Sequence, residues 1–418
     1  MRCLIFLTLF AFILRGTDLS AQNSADTLRL TMPEADKMFL EKNLILLANR
    51  SNVDVAKALT EQAKLWDNPV VSTSNNLFAA TDVKFFDTRQ AYVQYMQLFR
   101  LGHKRDKLVD FQKENERLNE AQFNDLLRNL RYTLHNDFHR LTGDYMALQL
   151  LENETVTIKN LLDAMRPQVT QGNVTLKDLV RIETIEYGLE QDILTTRTDI
   201  TAVQSEVKTL LQIATPTTQI KPVDVSNTEG VPKLDLDSLL AEVVRNRADL
   251  AAANSQTVLA QKNLIYQKSL ATPDLSAGLE YDRGGSFANN VFNIDLSIPL
   301  PIYNRNQGNI KAAQIGIEQS KNLYQNAVAQ AQNQVIAAFG KIQQLAPAVT
   351  GDQSTYFQNF NNLMSNVVKM YATRQISLLD FVDLFESYKD TRLRRIQTLQ
   401  NFRLAKEELN FQVGRQVF

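Results

Sequence analysis

The chain has 418 residues, 45 basic against 46 acidic side chains, 44% hydrophobic residues and one cysteine. Charges that nearly cancel give no footing for nucleic acid or a strongly charged partner. A single cysteine excludes an intrachain disulfide and a cysteine-rich metal site.

Arg2, the apolar run Leu4–Leu14 and the small residues Ser20 and Ala21 stand in the order of a secretory signal peptide. Residues 1–21 are therefore read as a leader cleaved after Ala21. That leader contains Cys3, so the mature chain carries no thiol, and no cysteine follows the apolar run to accept a lipid. A cysteine-free exported chain suits an oxidising compartment such as a bacterial periplasm. Past the leader no apolar stretch approaches ~20 residues, the length of a membrane-spanning helix. A chain of this kind crosses a membrane only as strands of a closed barrel.

The first half, residues 22–214, opens with an amphipathic pattern over Glu34–Leu65, read as one helix. Asn68-Pro69-Val70 ends it, since proline cannot continue a helix and sets an extended start. Val70–Phe78 and Ala91–Phe99 then read as strands. Between Asp106 and Met165 there is one glycine, Gly143, and no proline. Apolar residues such as Leu127, Leu130, Leu134, Phe138, Leu141 and Tyr145 recur at steps of three and four, the spacing of a coiled coil. At 1.5 Å per residue that helix spans roughly 90 Å. The stretch GNVTLKDLV, residues 172–180, marks a turn into a returning helix.

Residues 215–234, with three prolines in TPTTQIKPVDVSNTEGVP, read as an extended linker with room for a short strand. The second half, residues 235–418, repeats the order. A helix over Leu239–Leu270 meets Thr272-Pro273-Asp274, and the alternation of Leu275–Tyr281 and of Val291–Leu300 predicts two strands around the turn-rich loop Asp282–Asn290. A long helix begins near Gln307, with Pro347 and Gly351 expected to kink it. RQISLLDFV, residues 374–382, matches GNVTLKDLV after 202 residues, and a last helix runs from Leu378 to Phe411. Thr175 and Ser377 each precede an acid, Asp178 and Asp380, by three residues, which is helix-capping spacing. The two phrases are therefore the tips of two helical hairpins. The expected fold is mainly α with a few β-strands, as two tandem repeats of long coiled-coil hairpins. Four strands are too few to close a membrane barrel within one chain, so they form either part of a shared barrel or an ordinary half-buried sheet.

The duplicated order, the proline-led strands, SIPLPIYNRNQGNIKAAQ (297–314), LFRLGHKRDKL (98–108) and the two tips together resemble the TolC-like outer-membrane efflux protein family. The resemblance covers the whole mature chain, and LGHKRDKL is similar to its cation-exporting branch. It implies a homotrimer whose four strands per chain pool into one transmembrane β-barrel in outer-membrane lipid, with the helices forming a periplasmic tunnel. It also implies a passive exit duct that docks with a periplasmic adaptor and an inner-membrane pump. Asp380 and Asp383 match the acidic pair that lines the constriction, and Tyr371 and Asp178 match members of the polar network holding the tips closed. Gly172, Val174, Thr175 and Leu176, with Ile376, Ser377 and Leu378, occupy the adaptor-docking tips. Arg374 stands where the family usually has glycine, and is expected to supply a cation to the gate.

Other candidates are weaker. His135 and His139, with Asp137 between them, have metal-like spacing but lack a third ligand or a zincin glutamate, and are expected as exposed polar positions on a long helix. His103, Lys104 and Arg105 form a basic step that either meets lipid headgroups or is ordinary surface. Tyr92, Tyr95, Phe99, Phe292 and Tyr303 form either an interfacial aromatic belt or sheet packing. With no phosphate loop, nucleotide fingerprint or catalytic triad, neither an enzyme nor a cofactor is expected. A soluble periplasmic coiled-coil scaffold or an adaptor remains the alternative, though neither explains strands placed twice at helix junctions.

Overall fold

The computed structural model describes residues 27–76, 87–223, 234–284, 288–351 and 354–418. The expected leader with Cys3, residues 77–78 of the first expected strand and residues 224–233 of the expected linker lie outside them. The first half runs β1 (Thr27–Leu30), α1 (Met32–Lys42), α2 (Leu44–Lys64), β2 (Val70–Asn76), β3 (Asp87–Phe99), α3 (Lys104–Thr170) and α4 (Leu176–Leu211). After β4 (Gln219–Pro222) come α5 (Leu236–Asn246), α6 (Ala248–Leu270), β5 (Leu275–Gly284), β6 (Asn289–Ser297), α7 (Gln307–Thr350), α8 (Ser354–Ala372) and α9 (Leu378–Val413). At 67 residues, α3 is about 100 Å long. Among the described residues no helix is long and apolar enough to cross a membrane.

The expected helices Glu34–Leu65 and Leu239–Leu270 are each broken in two, at equivalent places. Asn43 is extended (ψ 112°). Its Oδ1 accepts from the Leu46 N–H at 2.9 Å, and its Nδ2 donates to the Leu210 carbonyl at 2.9 Å. Arg247, also extended (ψ 122°), takes this role in the second half. Its Nη1 donates to Gln334 Oε1 at 2.9 Å and to Gln412 Oε1 at 3.0 Å, and its Nη2 donates to Asp249 Oδ2 at 2.6 Å. Each break thus pins the entry helix to the end of the returning helix through a buried polar side chain, satisfying backbone groups that a helix terminus leaves bare.

The two cores around these breaks repeat residue by residue. Ala35, Phe39, Leu46, Leu134, Phe138, Ile200 and Val207 share one cluster. Their counterparts Leu239, Val243, Leu250, Ala338, Ile342, Phe402 and Leu409 belong to another. Volume is traded within the pattern: Leu134 becomes Ala338 while Ile200 becomes Phe402, as close packing demands. Each fully buried aliphatic or aromatic side chain contributes about 1.5–3 kcal/mol. β1 was not expected. It pairs in parallel with β4, with Leu28 opposite Ile220, so the linker is stitched to the start of the described chain.

The other four strands form one antiparallel sheet in the order β2-β3-β5-β6, with Met96 opposite Val70, Leu275 opposite Phe99 and Ser297 opposite Ser276. β2 and β6 are its edges. Gly278 in β5 is required by a close backbone approach: a Cβ there would lie 2.5 Å from the Tyr95 carbonyl oxygen. Phe292, Ile294 and Leu296 of β6 are 79%, 76% and 69% exposed, so the apolar face of this strand is largely uncovered among the described residues, although the Tyr281 ring lies 5.0 Å from that of Phe292. β6 ends at Ser297 rather than at Leu300, because Pro299 and Pro301 have no N–H for a ladder. α7 passes straight through Pro347 and ends at Gly351, which is extended (ψ 143°). The expected kink is a helix end at Gly351, where a Cβ would lie 2.7 Å from the Pro347 carbonyl oxygen.

Arg247→Ala is expected to lower stability by about 1–3 kcal/mol, because it removes the buried guanidinium's bonds to Gln334, Gln412 and Asp249, although half-buried Asp249 keeps Arg128 at 3.5 Å. Asn43→Ala is expected to lower it by about 1–2 kcal/mol. Chemical denaturation followed by circular dichroism measures both; losses no larger than for the exposed control Lys57→Ala would contradict the pinning role.

Candidate functional site

Both tips are built from the same backbone device. After α3, the Gly172 N–H donates to the Val169 carbonyl at 3.0 Å and the Asn173 N–H to the Gln168 carbonyl at 2.9 Å. After α8, the Arg374 N–H donates to the Tyr371 carbonyl at 2.9 Å and the Gln375 N–H to the Met370 carbonyl at 2.8 Å. This pair of bonds ends a helix with a left-handed residue, here Gly172 at φ 73° and Arg374 at φ 59°. Glycine adopts that conformation freely, whereas a residue with a Cβ is strained by about 1–2 kcal/mol. Arg374 therefore holds the same turn as Gly172 at a conformational cost.

The next helix in each tip begins with a hydroxyl cap. Thr175 Oγ1 accepts from the Asp178 N–H at 3.1 Å, and Ser377 Oγ from the Asp380 N–H at 3.2 Å. In the second tip the arrangement is reciprocal: Ser377 Oγ and its N–H donate to Asp380 Oδ2 at 2.7 and 3.2 Å. The serine hydroxyl, and then its backbone N–H, hold the Asp380 carboxyl below the ordinary carboxylate range. Asp380 thus serves the fold locally, as part of its helix cap. Asp383, one turn on, is exposed and has no place in this cap.

The tips share a core. Ile158, Leu162, Met165, Ile182, Val367, Phe381 and Phe385 are buried together, with Val174, Ile376 and Leu378 packed against them. The ring of Tyr371 lies 5.2 Å from that of Phe381 at 34°, and Phe381 lies 6.0 Å from Phe385. Burial, and then the charge of Asp178, push the Tyr371 hydroxyl above its ordinary value. The structure therefore brings Tyr371 and Asp178, from different hairpins, into one electrostatic neighbourhood. Leu176 stays outside the core and is exposed, as is Arg374.

The histidines depart from expectation. His135 and His139 are largely buried between helices, not exposed. His135 Nδ1 lies 3.1 Å from Glu407 Oε2 and its Nε2 lies 3.0 Å from Asp36 Oδ1, while His139 Nε2 is 3.6 Å from Glu407 Oε1. Burial opposes charge on His135, but the hydrogen bonds to Asp36 and Glu407 outweigh it and lift the ring to about 9. Asp137 takes no part. Two residues along a helix it points to another side, where burial and Glu206 raise it to about 6. Among the described residues no group of three His, Cys, Asp or Glu side chains is placed to hold a metal ion. The basic step is also engaged internally. Lys104 Nζ reaches Asp274 Oδ1 at 2.6 Å and the Arg105 guanidinium lies 3.9 Å from the Trp66 ring centroid.

Two outcomes follow from this geometry. Arg374→Gly is expected to raise stability by about 1 kcal/mol, while Gly172→Arg, which meets open space and so loses only backbone freedom, is expected to lower it by about as much. Differential scanning calorimetry of the two variants separates these signs. Because the folded His135 ring titrates at about 9 against an ordinary 6.5, its stabilisation is complete below pH ~6.5 and is lost as pH rises through about 9. The loss is on the order of 3 kcal/mol. Melting temperature should fall over that window in the parent, and His135→Gln should flatten the profile; an unchanged profile would contradict the ion-paired ring.

No family model matches the chain. The cobalt-zinc-cadmium resistance protein CzcC of Cupriavidus metallidurans is 22% identical over 284 residues, which is 68% of this chain and 66%, just under two thirds, of that relative's own length. Among solved structures, the chain is similar to CusC, described for its folding and transmembrane channel formation, with a TM-score of 0.73 and 17% identity over 92% of both chains. It is similar to the outer-membrane channel OprN, with a TM-score of 0.75 and 14% identity over 92% of this chain and 89% of that one. The outer membrane protein VceC of Vibrio cholerae gives a TM-score of 0.71 and 14% identity over 93% and 97%. The fold of this chain is the one seen in these outer-membrane channel structures.

Proposed function

We propose that this chain is one of three that form a passive exit duct through a bacterial outer membrane. The observation that carries the reading is the sheet: four antiparallel strands, with both edges free among the described residues and an apolar β6 face, beside a helix about 100 Å long. Every backbone group in lipid needs a partner, so a lone four-stranded sheet is excluded from a bilayer. Three copies would supply twelve strands, within the range of closed barrels. In this reading residues 1–21 are an export leader, and two repeats, 22–214 and 235–418, are joined by 215–234. The helices continue the barrel as a tunnel into the periplasm.

The tips then form the far end. Gly172, Val174, Thr175 and Leu176 with Ile376, Ser377 and Leu378 would meet a periplasmic adaptor linked to an inner-membrane pump that supplies the energy. Three copies of Asp380 and Asp383 would converge as six carboxylates and favour cations, while Tyr371 with Asp178 and the cation of Arg374 would hold the tips closed. The name of the curated relative supports divalent metal cations as the cargo, in keeping with the likeness of LGHKRDKL to the cation-exporting branch.

Asp383 is the cleaner probe of a gate, because Asp380 also caps its helix. In planar bilayers the parent is expected to conduct with cation preference, and Asp383→Asn is expected to move the reversal potential under a KCl gradient toward zero. A protein that never conducts would contradict the duct; conduction with an unchanged reversal potential would remove Asp383 from the constriction. Deletion of the gene is expected to sensitise its host to cobalt, zinc or cadmium, and unaltered growth on all three would exclude that cargo.

A further inference from the structure

Helices α3 and α4 are held along one flank by polar rungs that recur every seven residues. Gln204 Nε2 donates to Tyr145 Oη at 2.7 Å, and Arg197 Nη2 to Glu152 Oε1 at 2.8 Å. Lys159 Nζ donates to Glu190 Oε1 at 3.3 Å, and Arg166 Nη2 lies 3.9 Å from Glu183 Oε1. Each rung advances seven residues on α3 and retreats seven on α4, which is the flanking register of an antiparallel coiled coil. Every rung joins opposite charges or a donor to an acceptor. The other flank keeps the same step and reverses the chemistry. There Asp137 meets Glu206 and Asp144 meets Asp199, one acid against another.

Duplication supplies a control. Leu134 and Phe138 of α3 correspond to Ala338 and Ile342 of α7, and Ile200 and Val207 of α4 to Phe402 and Leu409 of α9. The same offsets carry Asp137 and Glu206 onto Lys341 and Glu408. There Lys341 Nζ reaches the two carboxylate oxygens at 2.9 and 2.7 Å. Where the second repeat has an ordinary ion pair, the first has two acids. Asp137 is also 4% exposed, and its Oδ2 has no hydrogen-bond partner among the described residues. The cation beside it is Arg140 of its own helix, whose Nη1 lies 3.7 Å from Oδ1. Asp144 is half-buried, with Arg140 and the neutral Gln400 of α9 beside it. Of the charges on the other elements packed here, Asp36 of α1 and Glu407 of α9 are turned to His135, and Lys221 of β4 lies over the Tyr145 ring. A buried carboxyl that faces a second one is neutralised by a proton rather than left charged. The nearby guanidinium and the burial of Asp137 both disfavour a hydrated metal ion in the proton's place.

We propose that Asp137 with Glu206, and Asp144 with Asp199, each hold one proton that bonds α3 to α4, making this flank a joint tightened by acid. The O–H of one carboxyl donates to the carboxylate of its partner. When that proton leaves to water, two like charges face each other with Arg140 alone to offset them. Burial and then Glu206 raise Asp137 to about 6, and burial and then Asp199 raise Asp144. The folded value of Asp137 therefore lies above its ordinary value of about 4. Its stabilisation is complete below pH ~4 and is lost as pH rises through about 6. That window lies below the one in which His135 titrates, so the two are separable. The second repeat, with Lys341 on Glu408, does not follow, and rising pH loosens the first hairpin relative to the second. The joint belongs to a single chain and stands apart from the three-copy reading.

The test is the melting temperature of the full chain in mild detergent, followed from acid to neutral pH in the parent and two variants. Asp137→Asn gives Glu206 an amide N–H at every pH. Glu206→Gln gives Asp137 the same, at an exposed position that leaves the core untouched. Each variant is expected to melt above the parent at neutral pH and to lack the parent's loss between pH ~4 and about 6. Both should keep the later loss that belongs to His135. Difference infrared spectra at mildly acidic pH should show a protonated carboxyl C=O stretch in the parent that Asp137→Asn removes. Parent-like profiles in both variants, or an infrared band unchanged by Asp137→Asn, would overturn the joint. So would a parent stabilised at neutral pH by millimolar calcium to which neither variant responds, because the pair would then hold a divalent cation and not a proton.

Discussion

Unpaired backbone along the two edges of the sheet constrains everything else in this chain. β2 and β6 each present a row of amide and carbonyl groups with no partner, and β6 adds an apolar face. Soluble proteins blunt such edges with charges, bulges or short strands. Here the edge residues include Val70, Val71, Ile294 and Leu296, and among the described residues blunting is light: a register shift in β2 between Ser74 and Asn76, Asp295 in β6, and Pro299 and Pro301 at the exit. An edge left this inviting is made for pairing, and a closed barrel is the form in which no edge remains.

Duplication is the chain's answer to the same constraint. One hairpin of helices with two strands has a sticky surface on either side; two of them in tandem satisfy one junction internally. The internal junction is polar where it can be, with Lys104 on Asp274. The equivalent positions in the other half-pair, Gln307 and Val70, are exposed and carry no charge. The breaks at Asn43 and Arg247 serve the same economy. Both turn the chain sharply and tie the entry helix to the end of the returning one, so each repeat holds its own shape before anything docks.

Much of this was readable from residues alone. The long helices followed from apolar steps of three and four, and the tips from hydroxyl residues three before an acid. The helix breaks were not read from sequence: Asn43 caps Leu46 locally, but the partners that tie each break to a returning helix, Leu210 and Gln412, lie 167 and 165 residues away. β1 has four residues, too few for an alternation to stand out. The burial of His135 was hidden for a related reason. Its carboxylate partners Asp36 and Glu407 lie 99 and 272 residues distant, and spacing on one helix cannot say which face another helix will cover. At the tips, the cap of Asp380 was visible in sequence. The proposed convergence of Asp380 and Asp383 would be a property of an assembly of copies.

The central claim is that the four strands belong to a barrel shared by copies. It is tested most directly by fractionating membranes that contain the full chain and measuring native mass in mild detergent. The account predicts a protein extracted from the outer membrane only by detergent, with the mass of three mature chains. A water-soluble monomer or dimer would contradict it, and would return β2, β3, β5 and β6 to an ordinary sheet beside a helical scaffold.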